Sequence, residues 1–148
     1  MQGTEEQFHT LVNSVEEYAI YMLDPAGNVM TWNAGAQKIK QYAAEEIIGK
    51  NFACFYTAED VAAEKPQRNL REAARAGHIR DQGLRVRKDG STFPAEVVLT
   101  ALRASAGKIR GFSKVTRDIT DQTRSREVEA AKIAAETQTK QRMTFSRP

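Results

Sequence analysis

The chain has 148 residues, 41% of them apolar and 28% charged, with a formal net charge of +3. That suits one soluble domain with room for helical extensions, large enough to fold without staples. No apolar run approaches the ~18 residues that cross a bilayer, the acidic opening Met1–Thr10 lacks the apolar core of a signal peptide, and the single cysteine, Cys54, allows no intrachain disulfide and no zinc pattern. These features point to a cytosolic protein.

In chain order, Phe8, Leu11, Val12 and Val15 recur at helical spacing, so residues 1–17 read as an amphipathic cap helix with one apolar stripe. That stripe must be covered by the domain's own sheet or by the same helix of a second subunit, which makes a homodimer interface the expectation. Ala19–Leu23 and Val29–Trp32 read as strands around the turn Asp24-Pro25-Ala26-Gly27. Asn33 suits the N-cap of a short helix through Tyr42, and a second short helix, Ala44–Ile48, stops at Gly49. Thr57-Ala58-Glu59-Asp60 reads as a capping box. Pro66 opens a further helical segment with Leu70, Ala73 and Ala74 inward and Gly77 at its end.

Three strands follow, at about Ile79–Arg87, Thr92–Leu102 and Ile109–Arg117. Asp89-Gly90 is a strong hairpin signal and Ser105-Ala106-Gly107-Lys108 a moderate one. Alternation puts Phe93, Ala95, Val97 and Leu99 on one face. Beyond Asp121 the Ala, Glu, Gln, Lys and Arg content is that of a helix. Its stripe of Val128, Ala131, Ile133, Ala134 and Ala135 is shallow and has no sustained heptad. The expected architecture is α+β, a five-stranded antiparallel sheet with short helices on one face and flanking N- and C-terminal helices.

Arg68, Arg71, Arg75, Arg80, Arg85, Arg87 and Lys88 concentrate positive charge in one stretch. A nucleic-acid surface is possible, but the aromatic residues that a single-strand stacking platform would interleave with such charge are missing here. The stretch reads as a solvated helix face followed by the outer edge of a sheet. No Gly-rich phosphate loop is present, and two distant histidines support no catalytic triad. The expectation is a non-enzymatic chain.

Five segments carry a family resemblance: Trp32-Asn33-Ala34-Gly35-Ala36, Tyr42-Ala43-Ala44-Glu45-Glu46-Ile47-Ile48-Gly49, Phe55-Tyr56-Thr57-Ala58-Glu59-Asp60, Arg87-Lys88-Asp89-Gly90-Ser91 and Asp118-Ile119-Thr120. In this order and at these intervals they resemble the PAS (Per-Arnt-Sim) sensory domain family, of the bacterial S-box type, over about Glu6–Thr120. The resemblance implies a PAS core over 18–120 and a signalling helix or linker with a frayed tail over 121–148. It implies a cavity between sheet and short helices, with Trp32, Phe52, Cys54, Phe55, Val97 and Leu99 as candidate lining; those aromatics could equally fill it. It also implies a relay at Lys88, Asp118, Ile119 and Thr120, in which Asp118 pairs with a basic group near Lys88 while also suiting a helix cap.

Gly49-Lys50-Asn51-Phe52-Ala53-Cys54-Phe55 also resembles the flavin-binding LOV branch, but departs from it. The photoreactive cysteine of that branch stands three residues after the glycine, where this chain has Phe52. Cys54 is two residues further on, turned by ~200° on a helix. The sheet positions that carry flavin-binding amides there match Arg85, Ala95 and Thr116, none of which supplies an amide. A typical LOV domain is not expected. Heme-binding relatives take an axial histidine from the helix before the third strand. Ala58–Ala76 has none, His78 lies past Gly77, and His9 sits in the first helix. The occupant stays open: a noncovalent flavin, a heme, a small metabolite or no ligand at all. The expected role is a sensory relay from a ligand or interface event to the C-terminal helix and an effector such as a histidine kinase, in cis or in trans. The alternatives are a ligand-free dimerisation and interaction module, or a flavin- or heme-based redox or gas sensor.

Overall fold

A computed structural model describes Gln7, Leu11 and residues 16–145. Its elements are β1 (Tyr18–Leu23), α1 (Ala34–Lys40), α2 (Ala44–Ile47), a 3-10 turn (Phe52–Phe55), α3 (Ala58–Ala62), α4 (Lys65–Ala76), β2 (His78–Val86), β3 (Thr92–Arg103), β4 (Ile109–Asp118) and α5 (Thr120–Phe145). The strands form one antiparallel sheet in the order β1-β4-β3-β2. The chain divides into a unit that ends at Asp118 and a second that begins at Ile119. Phe8, Val12 and Val15 lie outside the described residues.

Among the described residues the sheet has four strands, not five. The segment expected as a strand at Val29–Trp32 makes only isolated bridges, Leu23 to Val29 and Asn28 to Asn51. Side chains take over the acceptor role of the missing ladder. Met22 N–H donates to the Thr31 hydroxyl at 2.9 Å and Ile20 N–H to Asn33 Oδ1 at 3.0 Å. Val29 is meanwhile drawn to the other side, its N–H donating to the Lys50 carbonyl at 2.8 Å and its carbonyl accepting from Gly49 N–H at 2.7 Å. One backbone bond, from Met30 N–H to the Met22 carbonyl at 2.8 Å, joins the segment to β1, and the other partners do not build a strand.

The turn before it closes by a Gly27 N–H to Asp24 carbonyl bond of 2.9 Å. The Asp24 carboxylate accepts from the N–H groups of Ala26 and Asn28, which, chiefly through Asn28, lowers its pKa. Gly27 has φ 90°, and a Cβ there would stand 2.7 Å from the Phe52 ring. Glycine is required both for the left-handed backbone and for that approach.

The helices start where their caps predict. Asn33 Oδ1 accepts from Ala36 N–H at 2.8 Å, and the Thr57 hydroxyl accepts from Asp60 N–H at 3.2 Å. Pro66 sits in the first turn of α4 and Gly77, at φ 95°, closes it. One apolar cluster joins Ala19, Tyr21, Leu23, Leu99 and Phe112 of the sheet to Ala36, Ile47, Phe52, Phe55 and Ala73 of the helical layer. Phe93, Ala95 and Val97 form a smaller cluster against Ile39.

Candidate functional site

Antiparallel register decides which polar side chains share the inner face. Tyr21 stands opposite Lys114, Val97 opposite Thr116, Ala95 opposite Asp118, and Arg85 opposite Phe93. Residues paired across neighbouring strands point to the same side of a sheet. Lys114, Thr116 and Arg85 therefore face inward with Tyr21, Phe93, Ala95 and Val97, and all three are fully buried. From the helical layer, α1 contributes Lys40, also fully buried, four residues beyond the buried Ala36.

Both ammonium groups lie among aromatic rings. Lys40 Nζ is 4.0 Å from the Phe55 ring centre and 5.6 Å from that of Tyr21. Lys114 Nζ is 4.9 Å from Phe52, 5.1 Å from Tyr56, 5.7 Å from Phe55 and 5.8 Å from Tyr21. The ring faces attract the cations, which offsets part of the desolvation cost. They do not supply hydrogen bonds. Tyr21 Oη, Lys40 Nζ, Arg85 Nε, Lys114 Nζ and Thr116 Oγ1 are buried with no hydrogen-bond partner among the described residues. The Thr116 hydroxyl is near enough to Tyr21 to ease the phenol's burial, but closes no well-formed bond. Each such group costs roughly 1–3 kcal/mol relative to a satisfied one.

Arg85 is the best compensated of the cations. Its Nη2 meets Asp81 Oδ2 at 3.0 Å, and the same oxygen accepts from Lys65 Nζ at 3.2 Å. Asn69 of α4 donates to the Tyr56 hydroxyl at 3.0 Å and to Asp81 at 3.4 Å. Burial alone would raise the Asp81 pKa, but the bonds from Arg85 and Lys65 outweigh it and the carboxyl is held low. Among the described residues neither lysine amine has a carboxylate within an ion pair. Burial, followed by repulsion from Arg85, lowers the Lys40 pKa to about 7. Lys114 is driven well below the ordinary lysine range by burial, then by Lys40 and Arg85. Tyr21 is raised well above its ordinary value, first by burial and then by Tyr56.

The candidate lining expected from sequence is only partly gathered here. Trp32, Phe52, Phe55 and Leu99 join the main cluster, and Val97 lies in the smaller one. Trp32 stacks on Phe55 with ring centres 5.7 Å apart and donates from Nε1 to the Tyr42 carbonyl at 2.8 Å. Cys54 is exposed instead, because a 3-10 turn has three residues per turn and turns Phe52 and Phe55 inward together. Its thiol is still enclosed enough for desolvation to raise its pKa, with Lys40 and Lys114 pulling the other way. Arg85 departs from the expected solvated stripe for a register reason: it faces inward with Phe93. Arg87 departs too, only partly exposed over the Phe93 ring, whereas Arg68, Arg71, Arg75, Arg80 and Lys88 are exposed. His78 is exposed at the first position of β2.

At the other end of the inner face, Arg87 Nη2 meets Asp118 Oδ2 at 3.2 Å, with the guanidinium 4.3 Å over the Phe93 ring. Lys88 takes a different partner, Glu46 at 2.8 Å. The Asp118 partner is thus the neighbour of Lys88 in the hairpin. Ile119 and Thr120 open the second unit, where Thr123 N–H donates to the Ile119 carbonyl at 2.9 Å.

A family model described as the PAS fold matches residues 13–124. The chain belongs to the PAS family. Over 130 residues this PAS domain is 48% identical to "Two-component system protein A" of Emericella nidulans, a match covering 88% of the chain and 18% of that protein. It is 27% identical over 120 residues to "Methanogenesis regulatory histidine kinase FilI" of Methanothrix harundinacea, covering 80% of the chain and 13% of that protein. The PAS domain thus spans under a fifth of either relative. Among solved structures, a PAS domain from Colwellia psychrerythraea superposes with a TM-score of 0.72 at 20% identity, covering 80% of this chain and 98% of that one. The chain is a PAS domain homologous to segments of two-component and histidine-kinase signalling proteins. Among the described residues no helix is long and apolar enough to cross a membrane.

Proposed function

We propose that this PAS domain is a non-catalytic sensory relay, coupling an event in its interior or at an interface to α5 and to an effector such as a histidine kinase, in cis or in trans. The observation that carries the reading is the Arg87–Asp118 ion pair. It ties the β2–β3 hairpin to the last residue of β4, and α5 starts two residues later at Thr120. Arg87 also reaches the Ile39 carbonyl at 3.5 Å, so one side chain links helical layer, hairpin and sheet exit. A rearrangement beneath Phe93 would then be felt at Asp118. The kinship with a histidine kinase and a two-component protein supports an effector of that class.

The test is Asp118→Ala in the signalling protein that carries the domain, reading effector output and domain stability together. Output that shifts several-fold while the melting temperature moves by a few degrees supports a relay. A proportional loss of both leaves Asp118 as a structural tie only.

A further inference from the structure

The buried polar groups left without partners have one chemical character in common. Lys40 Nζ, Lys114 Nζ, Arg85 Nε, Tyr21 Oη and Thr116 Oγ1 can all donate a hydrogen bond, and none is a carboxylate. They come from both layers: Lys40 from α1 above, Tyr21, Lys114, Thr116 and Arg85 from three strands below. Asp81 already answers Arg85 and Lys65, which leaves the two lysine amines without a counter-ion among the described residues. Groups of this kind persist in an interior where something else satisfies them.

We propose that the interior of this domain binds a small dicarboxylate, with Lys40 and Lys114 each meeting a carboxylate and with Arg85, Tyr21 and Thr116 supplying further donors. Two lysine amines, each holding its proton once a carboxylate meets it, call for two negative charges. The rings of Tyr21, Phe52, Phe55 and Tyr56 beside them offer apolar faces to a short carbon linker, which a compact inorganic anion does not have. Hydrogen bonds between an ionised donor and an ionised acceptor are about twice as strong as neutral ones, and stronger still away from water. A dicarboxylate would also reach the relay. Lys40 is the last residue of α1, and its carbonyl accepts the Lys88 N–H at 3.0 Å, beside the Arg87 that grips Asp118. The inference names the ligand class for the sensory reading given above and rests on it only for the consequence of binding.

Binding is tested on the whole chain with succinate and malonate, against acetate and inorganic phosphate, by titration calorimetry and by the fluorescence of Trp32, the single tryptophan. Trp32 stacks on Phe55, the ring nearest Lys40, and so reports on this interior. The expected result is saturable one-site binding of at least one dicarboxylate, with acetate at least tenfold weaker. Lys40→Met and Lys114→Met should each lower the affinity at least a hundredfold, and Lys108→Met, in the exposed β3–β4 turn, should leave it unchanged. Absence of saturable binding by both dicarboxylates overturns the proposal, as does unaltered affinity in the two lysine variants when both are folded by circular dichroism. Phosphate binding tighter than either dicarboxylate overturns the carboxylate assignment. None of these results bears on the effect of Asp118→Ala on output, so the site and the relay stand or fall separately.

Discussion

Arg87 and Asp118 meet at 3.2 Å from opposite sides of β3, with the Arg87 guanidinium lying 4.3 Å above the Phe93 ring that occupies the strand between them. The pair is half-buried, and its geometry depends on three strands keeping one register: Arg85 opposite Phe93, and Ala95 opposite Asp118. A partly exposed ion pair contributes little to stability, typically up to about 1 kcal/mol. A double-mutant cycle of Arg87→Ala and Asp118→Ala should give a coupling energy in that range by chemical denaturation. Arg87→Lys should fail to restore it, because an ammonium neither stacks as a planar group nor presents a fork. Full restoration by lysine would show that charge alone matters.

Removing a buried, unpaired cation should strengthen the empty fold. Lys40→Met keeps the side-chain length and drops the ammonium, so the ligand-free variant is expected to be about 1–3 kcal/mol more stable. For a domain of this size that is a rise of several degrees in melting temperature. Differential scanning calorimetry in dicarboxylate-free buffer would check it; a variant less stable than the parent would mean that the ammonium is satisfied in the empty protein.

The same lysine sets a pH dependence whose sign can be worked out. Its pKa falls from 10.5 in the open chain to about 7 in the fold. Below about 7 both states hold the proton and this group contributes no slope. Between there and 10.5 the unfolded chain binds more protons than the folded one, so stability rises with pH. Lys114 acts in the same direction. After burial, Arg85 and Arg87 push the Lys40 pKa down and Cys54 pulls it up. The raised Cys54, Tyr21 and Tyr56 pKa values oppose the trend only above their ordinary values of 9.0 and 10.0. The stability of the ligand-free protein should therefore climb from pH 7 to pH 9, at up to about 1.4 kcal/mol per unit for one full proton. The slope should shrink in Lys40→Met. A flat profile in the parent, measured by urea unfolding, would contradict the depressed lysine.

Asn33 carries more than a helix cap. Its Oδ1 accepts from Ala36 N–H and Ile20 N–H, and its Nδ2 donates to the Tyr18 carbonyl at 3.1 Å. Asn33→Ala strips the cap and leaves half-buried backbone groups of β1 unpaired, an expected loss of about 2–3 kcal/mol. Asn33→Asp retains the acceptor and loses only the donor, so it should cost less. Equal losses in the two variants would assign the effect to the Tyr18 contact.

The dimer expectation has its own check. Leu11 is exposed at 67% relative accessibility. Leu11→Glu should weaken self-association in light scattering at fixed protein concentration; an unchanged mass would remove the N-terminal stripe from the interface.

Much of this molecule follows from local sequence. Asn33 and Thr57 as caps, Gly77 and Gly90 as stops and turns, and the alternation of Phe93, Ala95, Val97 and Leu99 are short-range effects of hydrogen-bonding side chains, backbone freedom and strand pleat. So is the family signature, which is carried by contiguous segments. That Val29–Trp32 does not join the sheet was not legible, since its ladder is replaced by Thr31, Asn33 and Lys50, partners whose reach depends on how the chain returns. The buried cations were hidden for a related reason. Phe112-Ser113-Lys114-Val115-Thr116 alternates as a strand should, so Lys114 could have been placed inward with Phe112, but a lysine is solvated by default. Lys40 at the end of a two-turn helix and Arg85 within a basic stretch look still more like surface residues. Only cross-strand register, together with α1 lying over Phe55 and Phe93, brings three cations and two hydroxyls into one interior. Local chemistry sets the elements, whereas the electrostatics of an interior is a property of which elements face each other.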